Sequence, residues 1–178
     1  MQVRKATLNE VAWLIDLSAR VQAALTAAGS LQHIGPLERD MVEQATLEGH
    51  AYVCEDKGQR IGSVLVEPIG LFPAQWLKTW QLEGLPAPLW YLHALMLDPV
   101  LQGRGTGLAF LEGVKARVIP TQGSITLNCW AGNDKLRDFY RRAGFTLQGV
   151  FGEKDYEIAV FFCSANARVR EGIEPASA

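Results

Sequence analysis

Gln102-Gly103-Arg104-Gly105-Thr106-Gly107 carries three glycines in six residues. It lies between the apolar run Tyr91–Leu97 and a segment in which Leu108, Leu111, Val114 and Lys115 recur at helical spacing. A strand, a glycine-rich turn and a helix N-terminus together make a cradle for a phosphate-bearing ligand. Side chains are missing where the backbone must come close, main-chain N–H groups point outward, and the helix dipole favours negative charge. Several chemistries use such loops, and the flanking residues separate them. A nucleoside-triphosphate loop needs Lys followed by Ser or Thr after its last glycine, whereas Gly107 is followed by Leu108-Ala109. A dinucleotide fingerprint needs Gly-x-Gly-x-x-Gly with an acid ending the next strand; here the spacing is Gly103-x-Gly105-x-Gly107 and Ser124–Trp130 holds no acid. His33, His50 and His93 are scattered, so no metal is expected, and there is no Gly-x-Ser-x-Gly nucleophile elbow.

The elements that must position this loop can be read from the rest of the chain. At 178 residues, 48% apolar and 20% charged, the composition is that of one ordinary globular domain, expected over residues 1–163, with a polar tail over 164–178 expected to be disordered. A net charge of −2 gives no footprint for nucleic acid or a membrane surface. Cys54, Cys129 and Cys163 are far apart and odd in number, which points to reduced thiols in a cytoplasmic protein. Gln2–Ala6 reads as an edge strand, and Thr7-Leu8-Asn9-Glu10 as a capping box opening a helix with Val11, Leu14, Ile15, Val21 and Leu25 inside, ending near Gly29. A second helix is expected to start at Gly35-Pro36, with Met41, Val42 and Ala45 inward. Strands Ala51–Glu55 and Ile61–Glu67 flank a turn at Asp56–Gln59. Pro68–Pro88, with Trp76 and Trp80, is a long connection with a helical turn or two around Ala74–Leu82, and reads as either a lid or substrate wall or a surface insertion. Strand Leu89–Leu97, the loop and its helix follow. Strand Ser124–Trp130 then alternates, with Ile125, Leu127 and Cys129 on one face and Thr126, Asn128 and Trp130 on the other. Asn133 caps a helix with Leu136, Phe139, Tyr140 and Ala143 inside, closed by Gly144, before two last strands over Phe145–Val150 and Asp155–Phe162. The order implies mixed α/β with one sheet and helices packed on it.

Gln-x-x-Gly-x-Gly at a helix start, followed by Asn133, then Phe139-Tyr140, then Ala143-Gly144-Phe145, resembles the GNAT superfamily of N-acetyltransferases over Leu89–Val150. Gln102, Gly105 and Gly107 occupy the fixed positions of that family's acetyl-CoA loop. The resemblance implies the acyl-CoA N-acyltransferase fold, a single mixed, mostly antiparallel twisted sheet with flanking helices. It also implies acetyl-CoA as cosubstrate. Main-chain groups from Gln102, Gly103, Arg104, Gly105, Thr106 and Gly107 would hold the pyrophosphate, with Arg104 adding side-chain charge. Leu95, Met96 and Leu97 would pair with the pantetheine arm as with an extra strand, one amide polarising the thioester carbonyl. Asn133 would bond the pantetheine or the sulfur region, Asn128 stands with it among the cofactor contacts, and Tyr140 would protonate the leaving thiolate. From periodicity alone Tyr140 is a core aromatic. Leu136 departs from the family, standing where many relatives have alanine.

An amine acceptor must also lose a proton. His93, on the strand before the loop, is the first choice of base, because histidine titrates near working pH. Leu92-His93-Ala94-Leu95 is similar to the stretch in the serotonin-type arylalkylamine N-acetyltransferases where a histidine takes part in proton removal. Glu67, at its strand end, is the second choice. Trp76, Trp80, Trp90, Tyr91 and Trp130 gather around the expected cleft and suit an apolar or aromatic amine or a peptide end. The expectation is acetyl transfer from acetyl-CoA to a primary amine of a small molecule, with a peptide or protein N-terminus, or a non-catalytic CoA-binding module, as alternatives. A homodimer is left open; nucleic acid and membrane are not expected partners.

Overall fold

A computed structural model describes residues 1–102, 105–118, 123–153 and 155–164. In chain order the elements are β1 (Gln2–Lys5), α1 (Val11–Ala27), α2 (Arg39–Leu47), β2 (Ala51–Asp56), β3 (Gln59–Pro68), a short α3 (Gln75–Thr79), β4 (Leu89–Leu97), α4 (Thr106–Val118), β5 (Ser124–Trp130), α5 (Asp134–Arg142), β6 (Thr146–Glu153) and β7 (Tyr156–Ser164). The strands form one sheet in the order β1-β2-β3-β4-β5-β7-β6. Every neighbouring pair is antiparallel except β4 and β5, which run parallel. This is the mixed, mostly antiparallel sheet with flanking helices expected from the sequence. Residues 165–178, and with them nearly all of the expected tail, lie outside the described residues.

Period-two alternation puts the two sides of the sheet to different uses. Leu92, Ile125, Leu127, Cys129, Ala159 and Phe161 face α4 and α5, whose Phe110, Leu111, Val114 and Tyr140 complete the main core. Ala51, Val53 and Leu65 look the other way, against Val11 and Leu14 of α1 and Val42 and Ala45 of α2. Tyr91, Ile158 and Val160 also face this second side, where Trp80 and Leu82 from the connection between β3 and β4 cover them.

Local signals account for most of the boundaries. The Glu10 carboxylate accepts from the Thr7 N–H at 3.0 Å, the reciprocal half of the expected capping box, and the turn so formed leads into α1. Gly29 and Gly144 adopt φ of 71° and 78° just past the ends of α1 and α5. Lys57 and Gly58, both with positive φ, make the two-residue turn between β2 and β3.

The second helix departs from expectation. It begins at Arg39 rather than at Gly35-Pro36, because residues 35–37 are pinned to α1: the Leu37 N–H donates to the Ser18 hydroxyl at 2.9 Å. A Cβ on Gly35 would lie 2.7 Å from the Ser18 carbonyl oxygen, so this close approach is what the glycine serves. Met41 is 37% exposed, and Thr46 joins Val42 and Ala45 inside.

Candidate active site

The site begins where two strands part. β4 and β5 pair only at Leu89–Tyr91 against Ser124–Thr126, and beyond these the two strands share no register pairs among the described residues. β4 continues to pair with β3 as far as Leu97, and β5 with β7 as far as Trp130. The facing edges of His93–Leu97 and Asn128–Trp130 therefore border an opening in the sheet. A β-bulge deepens the effect. Ser63 pairs with Met96 and Leu65 with His93, so β4 carries one residue more than β3 over this stretch, and Ala94 takes φ 48°. A bulge leaves its extra residue outside the ladder and re-aims the neighbouring groups. An extended chain with amide groups, such as a pantetheine arm, fits such an edge as a strand would.

The glycine loop lies beyond the end of β4. Asp98 anchors its entrance, accepting from the Val100 N–H at 3.2 Å and from Arg20 of α1 at 2.7 Å. The Gln102 side-chain amide folds back to the Leu97 carbonyl at 3.4 Å, and its main-chain N–H turns to the Pro99 carbonyl at 3.4 Å. Gly105 has φ 79°, and a Cβ there would meet nothing within 4 Å. A cavity of about 360 Å³ bordered by Gly105, Thr106 and Ala109 together with Met1 and Asp56 opens beside it. The backbone at Gly105 is thus unobstructed at the start of the thirteen-residue helix α4, where main-chain N–H groups and the helix dipole favour an anionic group. Gly107 has a different reason: a Cβ there would sit 3.2 Å from the Phe139 ring, so it lets α4 approach α5. Gly103 and Arg104 lie outside the described residues.

Asn133 caps α5, its Oδ1 accepting from the Leu136 N–H at 3.0 Å. Tyr140 is 5% exposed, with its ring against Phe139, Phe145 and Phe161. Burial pushes its phenol well above the ordinary tyrosine value, holding it protonated. The periodicity reading of Tyr140 as a core aromatic thus describes its ring; the hydroxyl is a polar atom in a wall of rings. Leu95, Met96 and Leu97 follow the bulge, with Met96 buried.

The two residues named separately as bases prove to be neighbours. Glu67 pairs with Tyr91 and Leu65 with His93, which makes Glu67 and His93 diagonal neighbours on the second side of the sheet. His93 Nε2 lies 2.6 Å from Glu67 Oε2. The His93 ring lies parallel to Tyr91, 5.2 Å between centroids, and Phe72 meets both edge-on. Tyr91 accepts at its hydroxyl from Asn128 Nδ2, 3.1 Å away, a bond that spans β4 and β5 where they begin to part. Asn128, expected among the cofactor contacts, is thus engaged with Tyr91.

The tryptophans divide. Trp76 stacks on Phe72 and on Trp80 and meets Tyr91, so the connection between β3 and β4 walls the His93 side of the site. Trp90 packs with the main core, and Trp130 lines a separate pocket of about 530 Å³ with Leu31 and Tyr156. Gln32, between α1 and α2, accepts from the Trp130 N–H at the far end of the opening. Phe72, Gln32 and the bulge at Ala94 escaped the sequence reading. None has a local signature, since each acts through a contact with a distant strand.

The Acetyltransferase (GNAT) family model matches residues 22–145. The uncharacterized N-acetyltransferase YesJ of Bacillus subtilis (strain 168) is 28% identical over 150 residues, covering 82% of this chain and 81% of its own length. The GNAT acetyltransferase of Streptococcus agalactiae 2603 superposes with a TM-score of 0.71 at 16% identity, over 92% of this chain and 94% of that one. RimL, an α-N-protein acetyltransferase solved with coenzyme A, superposes with a TM-score of 0.63 at 17% identity, over 93% of this chain and 94% of its own. With a split sheet and a helix N-terminus suited to CoA, and a family match across both, this chain belongs to the GNAT family and is an acetyl-CoA-dependent N-acetyltransferase.

Proposed function

We propose that the protein transfers the acetyl group of acetyl-CoA directly to the primary amine of a small molecule within a ternary complex. His93 acts as general base, Glu67 orients it, and Tyr140 supplies the proton to the departing thiolate. The observation that carries this reading is the His93–Glu67 contact of 2.6 Å beside the opening in the sheet. With its Nε2–H donated to the carboxylate, a neutral His93 keeps the Nδ1 lone pair for the amine proton, and the carboxylate stabilises the imidazolium that results.

The steps balance without an enzyme-bound intermediate. The amine nitrogen attacks the thioester carbonyl carbon as His93 Nδ1 removes its proton. A main-chain amide among Leu95, Met96 and Leu97 supports the negative charge on the oxygen. The C–S bond then breaks, the thiolate takes the Tyr140 proton, and after CoA leaves the phenolate regains a proton from solvent as the His93 imidazolium gives one up to it. Burial makes the phenol a weaker acid, but the same desolvation raises a thiol bound against it, which preserves their match. Pyrophosphate contacts fall to main-chain groups around Gly105, Thr106 and Gly107, and Asn133 holds the pantetheine. The Phe72–Trp76 wall over His93 favours a compact, apolar or aromatic amine.

A panel of aromatic and aliphatic primary amines, amino sugars and peptide N-termini, assayed for CoA release and acetylated product, tests this. Compact amines should turn over, and His93→Ala should lower their kcat about 100-fold. It should leave the affinity for CoA unchanged. Turnover of peptides alone would replace the small molecule with a protein N-terminus. CoA binding with no product from any amine would favour a binding module.

A further inference from the structure

The loop between α1 and α2 reaches across to β5, and the proposed mechanism gives that contact no task. The loop is held in place by α1. Gln22 Oε1 accepts from the Ile34 N–H at 2.7 Å and from the Gly35 N–H at 3.1 Å, and the Ser18 hydroxyl accepts from the Leu37 N–H. From this frame Gln32 extends its side chain to the Trp130 N–H, 98 residues away in sequence. That N–H belongs to the open edge of β5. The Ser124 N–H donates to the Pro88 carbonyl just before β4, and the Ala131 N–H donates to the Glu157 carbonyl of β7. Alternation along the strand therefore turns the Trp130 N–H toward β4, which has already parted from β5 at this level. Left bare, it would be an unpaired donor on a sheet edge, and Gln32 Oε1 stands in for the missing strand.

A cavity adjoins the crossing. Leu31, next to Gln32, and Trp130 both line the pocket of about 530 Å³, together with Tyr156. Trp130 shares its side of the sheet with Asn128, whose side chain reaches Tyr91, and Tyr91 stacks on His93. Tyr156 packs against the cluster of Trp80 and Tyr91 that also receives Phe72 and Trp76. The pocket is thus continuous with the wall assigned to the acceptor. Asp155 and Glu157 outnumber Arg137 around it, and the Arg137 guanidinium is engaged by the Ala131 carbonyl and Asp134.

We infer that Gln32 is a specificity-determining residue that limits the length of the acceptor: its bond to Trp130 closes the acceptor side of the opening against this pocket, whose aromatic and acidic lining suits a neutral or cationic apolar tail. The inference rests on the small-molecule reading above and sets the size of amine within it. A short arylalkylamine stays on the Phe72 side and leaves the bond intact. A longer one has to break the Gln32–Trp130 contact before its tail enters the pocket. One neutral hydrogen bond is worth about 1 kcal/mol net, so the closed contact costs the longer amine about fivefold in kcat/KM.

The test uses the full chain and compares 2-phenylethylamine with its para-phenyl derivative, which adds one ring, through the ratio of their kcat/KM values. Gln32→Ala should raise the ratio of long to short at least about fivefold. Gln32→Glu keeps an oxygen for the Trp130 N–H and should keep the wild-type ratio, which a loop that had merely loosened would not do. Adding Leu31→Trp to Gln32→Ala, at a position 53% exposed, should cancel the gain by filling the pocket. A carboxylate on the outer ring should cancel it as well. Amide hydrogen exchange at Trp130, measured without substrate, should be faster in Gln32→Ala than in wild type or Gln32→Glu. An unchanged ratio in Gln32→Ala, a gain that survives Leu31→Trp, or equal Trp130 exchange in all variants overturns the inference and leaves transfer to compact amines standing. Acetylation of neither amine by the wild-type chain overturns the small-molecule reading, and the role of Gln32 with it.

Discussion

Gly105→Val should raise the Kd for CoA at least about 100-fold, a loss of about 3 kcal/mol, while the protein remains folded. Two effects act together. Gly105 holds φ 79°, where a β-branched residue is strained by roughly 1–2 kcal/mol, so the turn into α4 would be pulled away from its present path. The added side chain would also enter the space where a Cβ now meets nothing within 4 Å, the space assigned to the pyrophosphate. Crowding within the protein does not explain the residue. The contrast with Gly107 makes the result specific: a side chain there runs into Phe139 and should disturb α4–α5 packing first. Calorimetric titration with CoA, alongside a melting curve, separates the two cases. Unchanged affinity in Gly105→Val would place the ligand away from the α4 N-terminus.

Tyr140→Phe should lower kcat about 100-fold while changing the Kd for CoA by no more than about twofold. The ring fills a slot among Phe139, Phe145 and Phe161, and phenylalanine keeps that packing. The hydroxyl matters only as negative charge appears on sulfur, so its removal should act on the transition state more than on the bound cosubstrate. Burial keeps the phenol protonated across the working range, and the loss should therefore be the same at pH 6 and at pH 9, roughly, without a new limb in the profile. Steady-state kinetics and a melting curve check it. Activity within about twofold of wild type, or collapse of stability, would leave Tyr140 as a core aromatic alone.

The parts of the fold written plainly in the sequence are those whose cause is local. The largely apolar run Leu89–Leu97, interrupted by His93, and the alternating Ser124–Trp130 mark β4 and β5 with the bounds observed. Capping at Thr7–Glu10 and Asn133, and glycines at 29 and 144, mark helix ends in the same way. Long-range causes are not legible. The start of α2 depends on Ser18 holding the Leu37 N–H, a contact across nineteen residues, and so the proline at position 36 misled the reading.

The site divides along the same line. The glycine loop, Asn133 and Tyr140 have fixed spacing and can be found by motif. His93 and Glu67 can each be picked out as a titratable group on a strand, but their pairing depends on the β3–β4 register. A one-residue slip would put the two on opposite faces. Phe72 offered no signal in a proline-rich connection, yet it seats against both Tyr91 and His93.

A crystal structure of the protein with acetyl-CoA tests the central claim most directly. The account predicts pantetheine between β4 and β5 along Leu95–Leu97, pyrophosphate against Gly105–Gly107, and sulfur within about 3.5 Å of the Tyr140 hydroxyl. The acetyl carbonyl should face the side of the opening where His93 and Glu67 meet. Acetyl-CoA bound outside the β4–β5 opening, or with its thioester turned away from both Tyr140 and His93, would contradict it.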